Sequence, residues 1–379
     1  MKGTMCSFGA YKMKKWTNTI PLDKNNSLIQ QVFTEDALFF DIETTGFSPA
    51  STQLYLIGYA KRCGDNMIIE QFFAEAPDEE EMILAAFLRI LENYSTLITF
   101  NGIGFDIPYL KAKCDKFHLT ETFADKDYID LFKIVSSLRF LLKLPNYKQK
   151  SIENFLGINR EDVFDGGQLI NIYQEYINHP SEYQMYFLKQ HNYEDVQGML
   201  DLLPVMSYAN LLKGGYSILS VESNVYTDFD GNPQKELIFS LENDIPVPKR
   251  VSYGYQDFYL ICNGKDSKLS VKVYDGTLKY FFENYKDYYY LPEEDAAVPK
   301  DVAASVDKAY RKQATASTCY IKKTSIFLPQ YQPIAEPLFF KEYKDKVSYF
   351  ELSDEFIDSN KLLRCYVNHI LKLLATQKR

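Results

Sequence analysis

The sequence predicts an α/β domain, in which helices flank a mixed sheet, followed by a smaller β-rich α+β domain. Strand and helix signals alternate between residues 36 and 210, whereas hairpin signals and tyrosine-rich segments dominate after the Gly-Gly pair at 214–215. The length of 379 residues also exceeds what one hydrophobic core usually serves. We therefore predict an N-terminal extension over residues 1–35, the α/β domain over 36–210 and the second domain over 211–379.

The elements of the first domain follow from apolar runs and the residues that bound them. Apolar runs between turn residues predict strands, and three such runs at close spacing predict an antiparallel meander. A proline followed by an acidic first turn and a helical stripe of apolar residues predicts a helix over Asp78–Asn93. The predicted strands are Ala37–Asp41, Leu54–Ala60, Met67–Phe73 and Thr96–Phe100. The further predicted helices are Ile107–Lys116, Asp130–Leu142, Ser151–Leu156, Gly167–Asn178 and Ser181–Ser207.

Turn chemistry organises the second domain. The segments 230–233 (Asp-Gly-Asn-Pro) and 263–266 (Asn-Gly-Lys-Asp) each lie between two strand signals and predict two β-hairpins. The four flanking strand signals are Ile218–Phe229, Glu236–Asn243, Phe258–Cys262 and Leu269–Tyr274. Two helices are predicted, over Lys300–Lys312 and Asp354–Leu374.

Composition excludes several classes of protein. With 46% hydrophobic and 25% charged residues, the chain is neither disordered nor collagen-like. It has no apolar run near the ~20 residues of a membrane span, and the segment Met1–Trp16 lacks the apolar core of a secretory signal. Six widely spaced cysteines without a Cys-x-x-Cys pair fit a reducing compartment, so we expect a cytoplasmic protein without membrane association.

The charge is unevenly distributed. Residues 1–210 carry 19 basic and 28 acidic residues, whereas residues 211–379 carry 23 of each, so the whole net charge of −9 lies in the first part. This balance argues against a protein whose entire surface binds a polyanion. The acidic excess indicates either a solvated surface or clustered catalytic carboxylates.

Two acids lie two residues apart at the end of the first apolar strand, in the segment Phe-Phe-Asp-Ile-Glu-Thr-Thr-Gly over 39–46. Because side chains alternate along a strand, Asp41 and Glu43 point to the same face. Such a pair resists joint ionisation unless a cation lies between the carboxylates. The pattern therefore indicates either a metal site or solvated acids at a strand end.

Two further segments contain candidate residues. Asp106 ends the glycine-rich turn Asn-Gly-Ile-Gly-Phe-Asp, where it is either a helix N-cap or part of a site that the glycines open to close approach. His191 and Asp195 are four residues apart on a predicted helix and share one face. Taken alone, that pair is a helix-stabilising contact.

In order and context, the acids Asp41, Glu43, Asp106 and Asp195 resemble the three motifs of the DEDD exonuclease superfamily, the DnaQ-like branch of ribonuclease H-like folds. Four further segments are similar to the YprB-type ribonuclease H-like family: Asp-Leu-Phe at 130–132, Lys-Ser-Ile-Glu at 150–153, Leu-Gly-Ile-x-Arg-Glu-Asp at 156–162 and His-Asn-x-x-Asp-Val at 191–196. The resemblance covers residues 36–206 and implies a ribonuclease H-like fold for the first domain. His191 stands at the position that the superfamily's tyrosine branch uses for its tyrosine.

The resemblance implies a metal-dependent nuclease, most simply a 3′–5′ exonuclease on single-stranded DNA or RNA. The catalytic residues would be Asp41, Glu43, Asp106, His191 and Asp195, and the four acids would be the metal ligands. Converging carboxylates without a basic partner require hard divalent cations, so we expect a two-metal site that holds Mg²⁺ or Mn²⁺. The neutral imidazole of His191 can orient or deprotonate the attacking water. The alternative is a catalytically silent nucleic-acid-binding or scaffold protein of the same fold, against which the retention of all four acids argues.

Three residues of the first domain are candidates for substrate binding. Thr44 belongs to the first motif. Asn101 can donate to a phosphate or terminal hydroxyl, or can bond the backbone of its own turn. Lys150 can contact a nucleic-acid backbone, or can lie in a solvated basic loop.

The second domain contains a run of cations interleaved with tyrosines. Five basic residues and two tyrosines occur between residues 308 and 323 without an intervening acid, a composition that suits single-stranded nucleic acid or, equally, an ordinary solvated helix and strand. The residues are Lys308, Tyr310, Arg311, Lys312, Tyr320, Lys322 and Lys323. We call them the basic segment.

Overall fold

The computed structural model describes residues 13–162, 164–228 and 230–376. Packing divides the chain into two compact units, of which the first extends to residue 207 without 140–142, and the second comprises 140–142 and the chain from 208 onward. Most of the segment Met1–Trp16, considered above as a possible leader, lies outside the described residues.

Strands and helices alternate along the described part of the first unit. The strands are β1 (Lys14–Pro21), β2 (Ala37–Thr44), β3 (Leu54–Cys63), β4 (Asn66–Phe73), β5 (Thr96–Thr99) and β6 (Asp127–Asp130). The helices are α1 (Ser27–Val32), α2 (Glu80–Leu91), α3 (Asp106–Phe117), α4 (Leu131–Ser137), α5 (Arg139–Leu142), α6 (Gln149–Leu156), α7 (Gly166–Asn178), α8 (Glu182–Leu202) and α9 (Met206–Leu212). Residues of both units occur in α5 and α9.

The six strands form one mixed sheet in the order β1-β4-β3-β2-β5-β6. The predicted meander is confirmed as β2-β3-β4, and β5 and β6 add to β2 in parallel. Strand β1 pairs with β4 along the edge of this sheet, within the segment assigned above to an N-terminal extension. The single helix predicted over Asp130–Leu142 is wrong, because Asp130 ends β6 and caps α4, and the chain turns again at Leu138 before α5.

Helices cover both faces of the sheet, which confirms the predicted α/β class. One buried cluster joins α2 and α3 to the sheet, with Phe87 and Leu110 packed near Tyr59. A second cluster lies around α7 and α8, where the ring of Tyr173 stacks on that of Tyr55 at 4.0 Å. Burial on both faces explains why β2 and β3 read as continuous apolar runs.

A buried ion pair fixes the loop that follows β2. The Lys113 ammonium, fully buried on α3, lies 2.6 Å from Glu80 Oε1 on α2 and donates to the Thr52 carbonyl oxygen at 2.5 Å. Glu80 Oε1 also accepts the N–H of Leu54 at 2.8 Å. Thr52 and Leu54 both lie where this loop enters β3, so the charge pair fixes that end of the loop beside β2.

The described part of the second unit is built from long antiparallel strands and one long helix. The strands are β7 (Tyr216–Thr227), β8 (Pro233–Tyr255), β9 (Phe258–Lys272), β10 (Tyr274–Phe281), β11 (Tyr288–Leu291), β12 (Ala296–Pro299), β13 (Lys312–Gln313), β14 (Tyr320–Gln330) and β15 (Ser348–Glu351). The helices are α10 (Asp354–Asp358) and α11 (Asn360–Thr376). These nine strands of the described part form three-stranded sheets in the orders β7-β8-β9, β10-β14-β15 and β12-β11-β13.

Two predictions for this unit are confirmed and two are wrong. The hairpin around 230–233 is β7-β8, and the C-terminal helix occurs as α10 and α11. The hairpin around 263–266 does not form, because these residues continue β9 and Gly264, at φ +58, lies opposite Val247 where the register shifts. The helix predicted over Lys300–Lys312 is replaced by two short 3₁₀ turns and the start of β13.

Within the described residues, none of the helices combines the length and the apolar character that crossing a bilayer requires. The five described cysteines are free thiols, and Cys6 lies outside the described part of the chain.

We expect Lys113→Met to lower the free energy of unfolding of the first unit by about 3 kcal/mol, because it leaves Glu80 buried with less compensation. Lys24→Met is the matched control, since its 2.5 Å pair with Asp65 is largely exposed and should contribute less than about 1 kcal/mol. Urea unfolding of both variants measures the difference. Equal losses would show that the buried pair does not hold the fold.

Candidate active site

Strand β2 and helix α8 meet where the first acidic pair lies. Asp41 is paired across the sheet with Gly58 of β3, where an added Cβ would lie 2.0 Å from Asn192 Oδ1. Only a glycine therefore lets α8 lie this close to the sheet. Asn192 uses the space to donate its Nδ2 to Asp41 Oδ2 at 3.0 Å, and its Oδ1 accepts from Gln71 at 3.0 Å.

Asp106 joins the pair from the opposite side of β2. Its Oδ1 accepts the N–H of Ile42, the residue between Asp41 and Glu43, at 3.2 Å. The N-cap interpretation of Asp106 is wrong, because helix α3 begins at Asp106 itself and the preceding residue, Phe105, is its N-cap. The carboxylate is bonded to the N–H of Ile42 in the sheet and to the backbone of Asp106 itself.

Helix α8 brings His191 and Asp195 to the same place. His191 Nε2 lies 3.2 Å from Asp195 Oδ2 and 3.6 Å from Glu43 Oε1. One ligand atom from each of these three residues falls within 4.8 Å of the other two. Two of the four predicted metal ligands therefore form a tight group with the predicted catalytic histidine.

The other ring nitrogen of His191 is held by Asp162. His191 Nδ1 lies 2.7 Å from Asp162 Oδ2, and the Lys150 ammonium lies 2.7 Å from the same oxygen. Lys150 also donates to the Phe164 carbonyl at 2.6 Å. In this structure Lys150, a predicted substrate-binding residue, thus supports the histidine's carboxylate partner.

A buried arginine holds Asp195. The Arg160 guanidinium donates Nη1 to Asp195 Oδ1 at 2.5 Å and two further N–H groups to Glu153, whose side chain is buried. Gly198, one turn further along α8, makes room for this contact, because a Cβ there would lie 2.3 Å from Glu153 Oε1. Gln149 completes the arrangement by donating to the Asp195 carbonyl oxygen at 2.8 Å.

The roles of Arg160 and Asp162 were missed by the sequence analysis, although both lie in the segment 156–162 that carries the family resemblance. Spacing along the chain gave no signal for them, because their partners lie 29 to 35 residues away on α8. The sequence signal for these two residues was the similarity of the segment 156–162 to the YprB-type family.

Burial and mutual repulsion make the acids of β2 and α3 reluctant to ionise. Burial raises the pKa of Glu43 to about 7, with Asp195 and Asp106 adding repulsion and His191 opposing it. Burial likewise raises the pKa of Asp106 to about 7, although the Ile42 N–H lowers it. The pKa of Asp41 is raised well above its ordinary value by burial and by Asp195 and Asp106.

The cations compensate this repulsion on the α8 side. Burial opposes a charged imidazole, but Glu43, Asp195 and Asp162 together raise the pKa of His191 to about 11. Burial would raise the pKa of Asp195, yet the combined effect of His191 and Arg160 lowers it. The expectation that the carboxylates converge without a basic partner is therefore wrong, because His191 and Arg160 both lie against them.

The donor set fits a divalent cation. Carboxylate oxygens and an imidazole nitrogen face one another, and the fully buried hydroxyl of Tyr55 lies beside Glu43 without a well-formed hydrogen bond in the described part of the chain. A buried polar group of this kind normally has a partner. Glu43 and Asp195 would hold such an ion, with Asp41 and Asp106 adjoining them.

The remaining predicted substrate residues lie at the turns beside the site. Thr44 Oγ1 donates to the Gly46 carbonyl at 2.8 Å and so shapes the turn after β2. Asn101 takes a left-handed φ of +68 and donates its backbone N–H to Asp130 Oδ1. The Asn101 residue is exposed. Phe47, which no sequence pattern singled out, has a side chain that is 88% exposed and lies 5.9 Å, centroid to centroid, from the ring of Phe105.

The basic segment of the second unit is partly neutralised. Lys322 pairs with Asp295 at 2.6 Å and Lys323 with Glu351 at 2.5 Å. Arg311 donates to the Ala303 carbonyl and lies 4.7 Å from the ring centroid of Tyr289. These three cations are therefore engaged within the unit itself.

Comparison with known proteins shows which superfamily the first unit is similar to. Residues 38–207 match the family model described as RNase_H superfamily. The chain is 33% identical over 76 residues to the protein YprB of Bacillus subtilis (strain 168), which is 20% of this chain and 18% of that protein. It is 24% identical over 169 residues to a DNA polymerase of Thermococcus hydrothermalis, which is 38% of this chain and 10% of the polymerase. The chain thus spans less than a fifth of these two relatives.

Solved structures also show local similarity. The family B DNA polymerase of the archaeon Pyrobaculum calidifontis is similar over 47% of this chain and 25% of the polymerase, with a TM-score of 0.38 and 15% identity. Exonuclease I of E. coli in complex with a dA16 oligonucleotide is similar over 55% of each chain, with a TM-score of 0.28 and 15% identity.

The free energy of unfolding of the metal-free protein should fall by at least about 1 kcal/mol as the pH rises from about 5 to about 8. Glu43 and Asp106, with pKa values raised from 4.5 and 3.8 to about 7, bind protons in the folded chain that the unfolded chain has released. His191, raised from 6.5 to about 11, adds an effect of the same sign above its unfolded pKa. Denaturant unfolding in a chelator at several pH values measures this slope.

Glu43→Gln should flatten the slope, whereas Glu81→Gln, an exposed change on α2, should leave it intact. A free energy of unfolding that rises over the same pH range would contradict the raised pKa values.

Proposed function

We propose that the ribonuclease H-like domain of residues 38–207 is a metal-dependent nuclease that hydrolyses phosphodiester bonds. The observation that carries this proposal is the meeting of Asp41, Glu43, Asp106 and Asp195 at one end of β2, in the order of the DEDD motifs. A buried acidic cluster of this kind costs folding free energy, which a structural role alone does not explain.

The four carboxylates are the proposed ligands of Mg²⁺ or Mn²⁺. Such ions, when bound, supply an activated water and stabilise the developing charge on phosphate oxygens. The surrounding residues prepare the site: Arg160 fixes the rotamer of Asp195, and Asp162 fixes the ring of His191. The buried setting strengthens each of these electrostatic contacts.

Single-stranded nucleic acid, cut from its 3′ end, is the proposed substrate. The motif order is that of 3′–5′ exonucleases, and Phe47 presents a free aromatic face three residues after Thr44. Aromatic side chains stack on unpaired bases without regard to sequence. The exposed amide of Asn101, on the next turn of the same edge, is positioned to meet a phosphate or a terminal hydroxyl.

A second candidate function is nucleic-acid binding without hydrolysis. The ion pair between Arg160 and Asp195 favours it, because a permanent cation already occupies one oxygen of a proposed metal ligand. Asp195 Oδ2 remains free of Arg160, however, and all four acids are retained. We therefore prefer the nuclease.

We expect Asp41→Asn combined with Glu43→Gln to abolish hydrolysis of 3′- or 5′-labelled single strands in Mn²⁺, because two proposed metal ligands lose their charge. Asp78→Asn combined with Glu81→Gln is the matched control, with the same charge change at exposed positions of the same unit. Retention of the wild-type rate by the first variant, folded as judged by circular dichroism, would reject the nuclease. An inactive wild-type protein that binds labelled strands would favour the second function.

Phe47→Ala should weaken binding of a single-stranded oligonucleotide by about 10-fold, the effect of losing one stacked base. The melting temperature should not change, because the side chain is exposed. Fluorescence anisotropy with the catalytically impaired double variant measures binding without cleavage. Tyr183→Ala, which removes a 71% exposed aromatic ring from α8, is the control. Equal affinities for Phe47→Ala and its parent would remove Phe47 from the substrate path.

A further inference from the structure

We propose that His191 is itself a ligand of the catalytic metal, so that the site binds Mn²⁺ or a similar first-row transition ion in preference to Mg²⁺. This inference rests on the metal site of the proposed function and changes its donor set. The sequence analysis assigned His191 to the attacking water. The contacts of the His191 ring instead indicate that it binds the ion.

The spacing of the donor atoms fits one cation. Ligand atoms about 2.1 Å from a shared ion are about 3.0 Å apart at octahedral angles and about 3.4 Å apart at tetrahedral angles. His191 Nε2 lies 3.2 Å from Asp195 Oδ2 and 3.6 Å from Glu43 Oε1. The two distances from His191 Nε2 are therefore close to those of a first coordination shell, and the three ligand atoms lie within 4.8 Å of one another.

The orientation of the ring supports the same role. Metal-binding histidines almost always donate their second ring N–H to a carboxylate or a carbonyl oxygen. His191 Nδ1 lies 2.7 Å from Asp162 Oδ2, and Lys150 holds that carboxylate in place. This arrangement leaves Nε2 facing Glu43 and Asp195, where it offers a lone pair once the imidazole has lost its second proton.

An independent observation marks the same spot. The Tyr55 hydroxyl, fully buried, interacts with the Glu43 carboxylate but has no well-formed hydrogen bond within the described residues. An ion at Glu43 would bring coordinated water, which can accept from this hydroxyl. The histidine and the tyrosine approach Glu43 from different elements, α8 and β3.

The donor chemistry selects the class of ion. Mg²⁺ prefers a shell of oxygens, whereas an imidazole nitrogen raises affinity for Mn²⁺, Fe²⁺, Co²⁺ and Zn²⁺. A site with Glu43 and Asp195 oxygens and the His191 nitrogen should therefore discriminate against Mg²⁺. A site of the four carboxylates alone would discriminate less, because Mn²⁺ also binds carboxylates well.

The test is direct binding of Mn²⁺ and, separately, Mg²⁺ to the full chain without nucleic acid. Calorimetry should give at least about 10-fold tighter binding of Mn²⁺. Electron spin-echo spectra of the Mn²⁺ complex should show ¹⁴N coupling from one imidazole. Selective ¹⁵N-histidine labelling of the unaltered chain should replace that coupling, which makes the result independent of whether any variant folds.

His191→Gln should remove the ¹⁴N coupling and weaken Mn²⁺ binding by about 10- to 100-fold, with Mg²⁺ binding unchanged or stronger. If His191 were only a positively charged neighbour of the acids, its removal would strengthen binding of both ions. Asp162→Asn should keep the coupling but weaken Mn²⁺ binding by about 10-fold. His179→Gln, at an exposed histidine, is the control and should change nothing.

Bound Mn²⁺ without ¹⁴N coupling in the unaltered chain would overturn the proposal and leave the nuclease standing. Coupling that persists in His191→Gln would also overturn it. Coupling lost as expected, in a protein that cleaves no DNA or RNA strand, would support the ligand role and reject the proposed function.

Discussion

The first unit depends on holding mutually repelling carboxylates together at the end of β2 within a buried environment. Each acid alone would stay protonated or move into solvent. The repulsion is tolerated because two cations approach from α8 and from the loop before α7. Arg160 is fixed by Glu153 and reaches Asp195, and the imidazole of His191 lies between Asp195 and Glu43. The repelling carboxylates and the cations that compensate them thus come from segments far apart in the sequence.

Contacts around the site limit how far the repelling carboxylates can move apart. Gly58 lets α8 approach the sheet so closely that Asn192 can bond Asp41, and the Lys113–Glu80 pair fixes the loop after β2. The first contact bonds Asp41 directly, whereas the second orders the start of β3, the strand paired with β2. Burial of the acids lowers the free energy of unfolding, and the contacts behind them raise it.

The sequence predicted the parts of this arrangement that depend on local periodicity. The period of two placed Asp41 and Glu43 on one face, and the period of helix α8 placed His191 beside Asp195. It could not predict Arg160 or Asp162, since their roles depend on which loop lies against α8 in three dimensions. The turn signal at 263–266 failed for a related reason: pairing with β8 over a long register outweighs local turn preference, and the strand absorbs Gly264 as an irregularity.

Charge balance connects the buried network to the binding of ions. The network contains the carboxylates of Asp41, Glu43, Asp106, Glu153, Asp162 and Asp195, and the buried Asp130 adds repulsion at Asp106. Lys150 and Arg160 are its permanent cations, so a neutral His191 leaves an excess of negative charge to be balanced. Protonation of His191 and the raised pKa values of Glu43 and Asp106 reduce that charge when no ion is bound. Divalent cations would supply the balancing positive charge, and the protons on these groups would have to leave as the ions enter. Protons and metal ions are therefore alternative ways to neutralise the clustered carboxylates. Once His191 has lost its proton, its ring nitrogen can bind a metal ion.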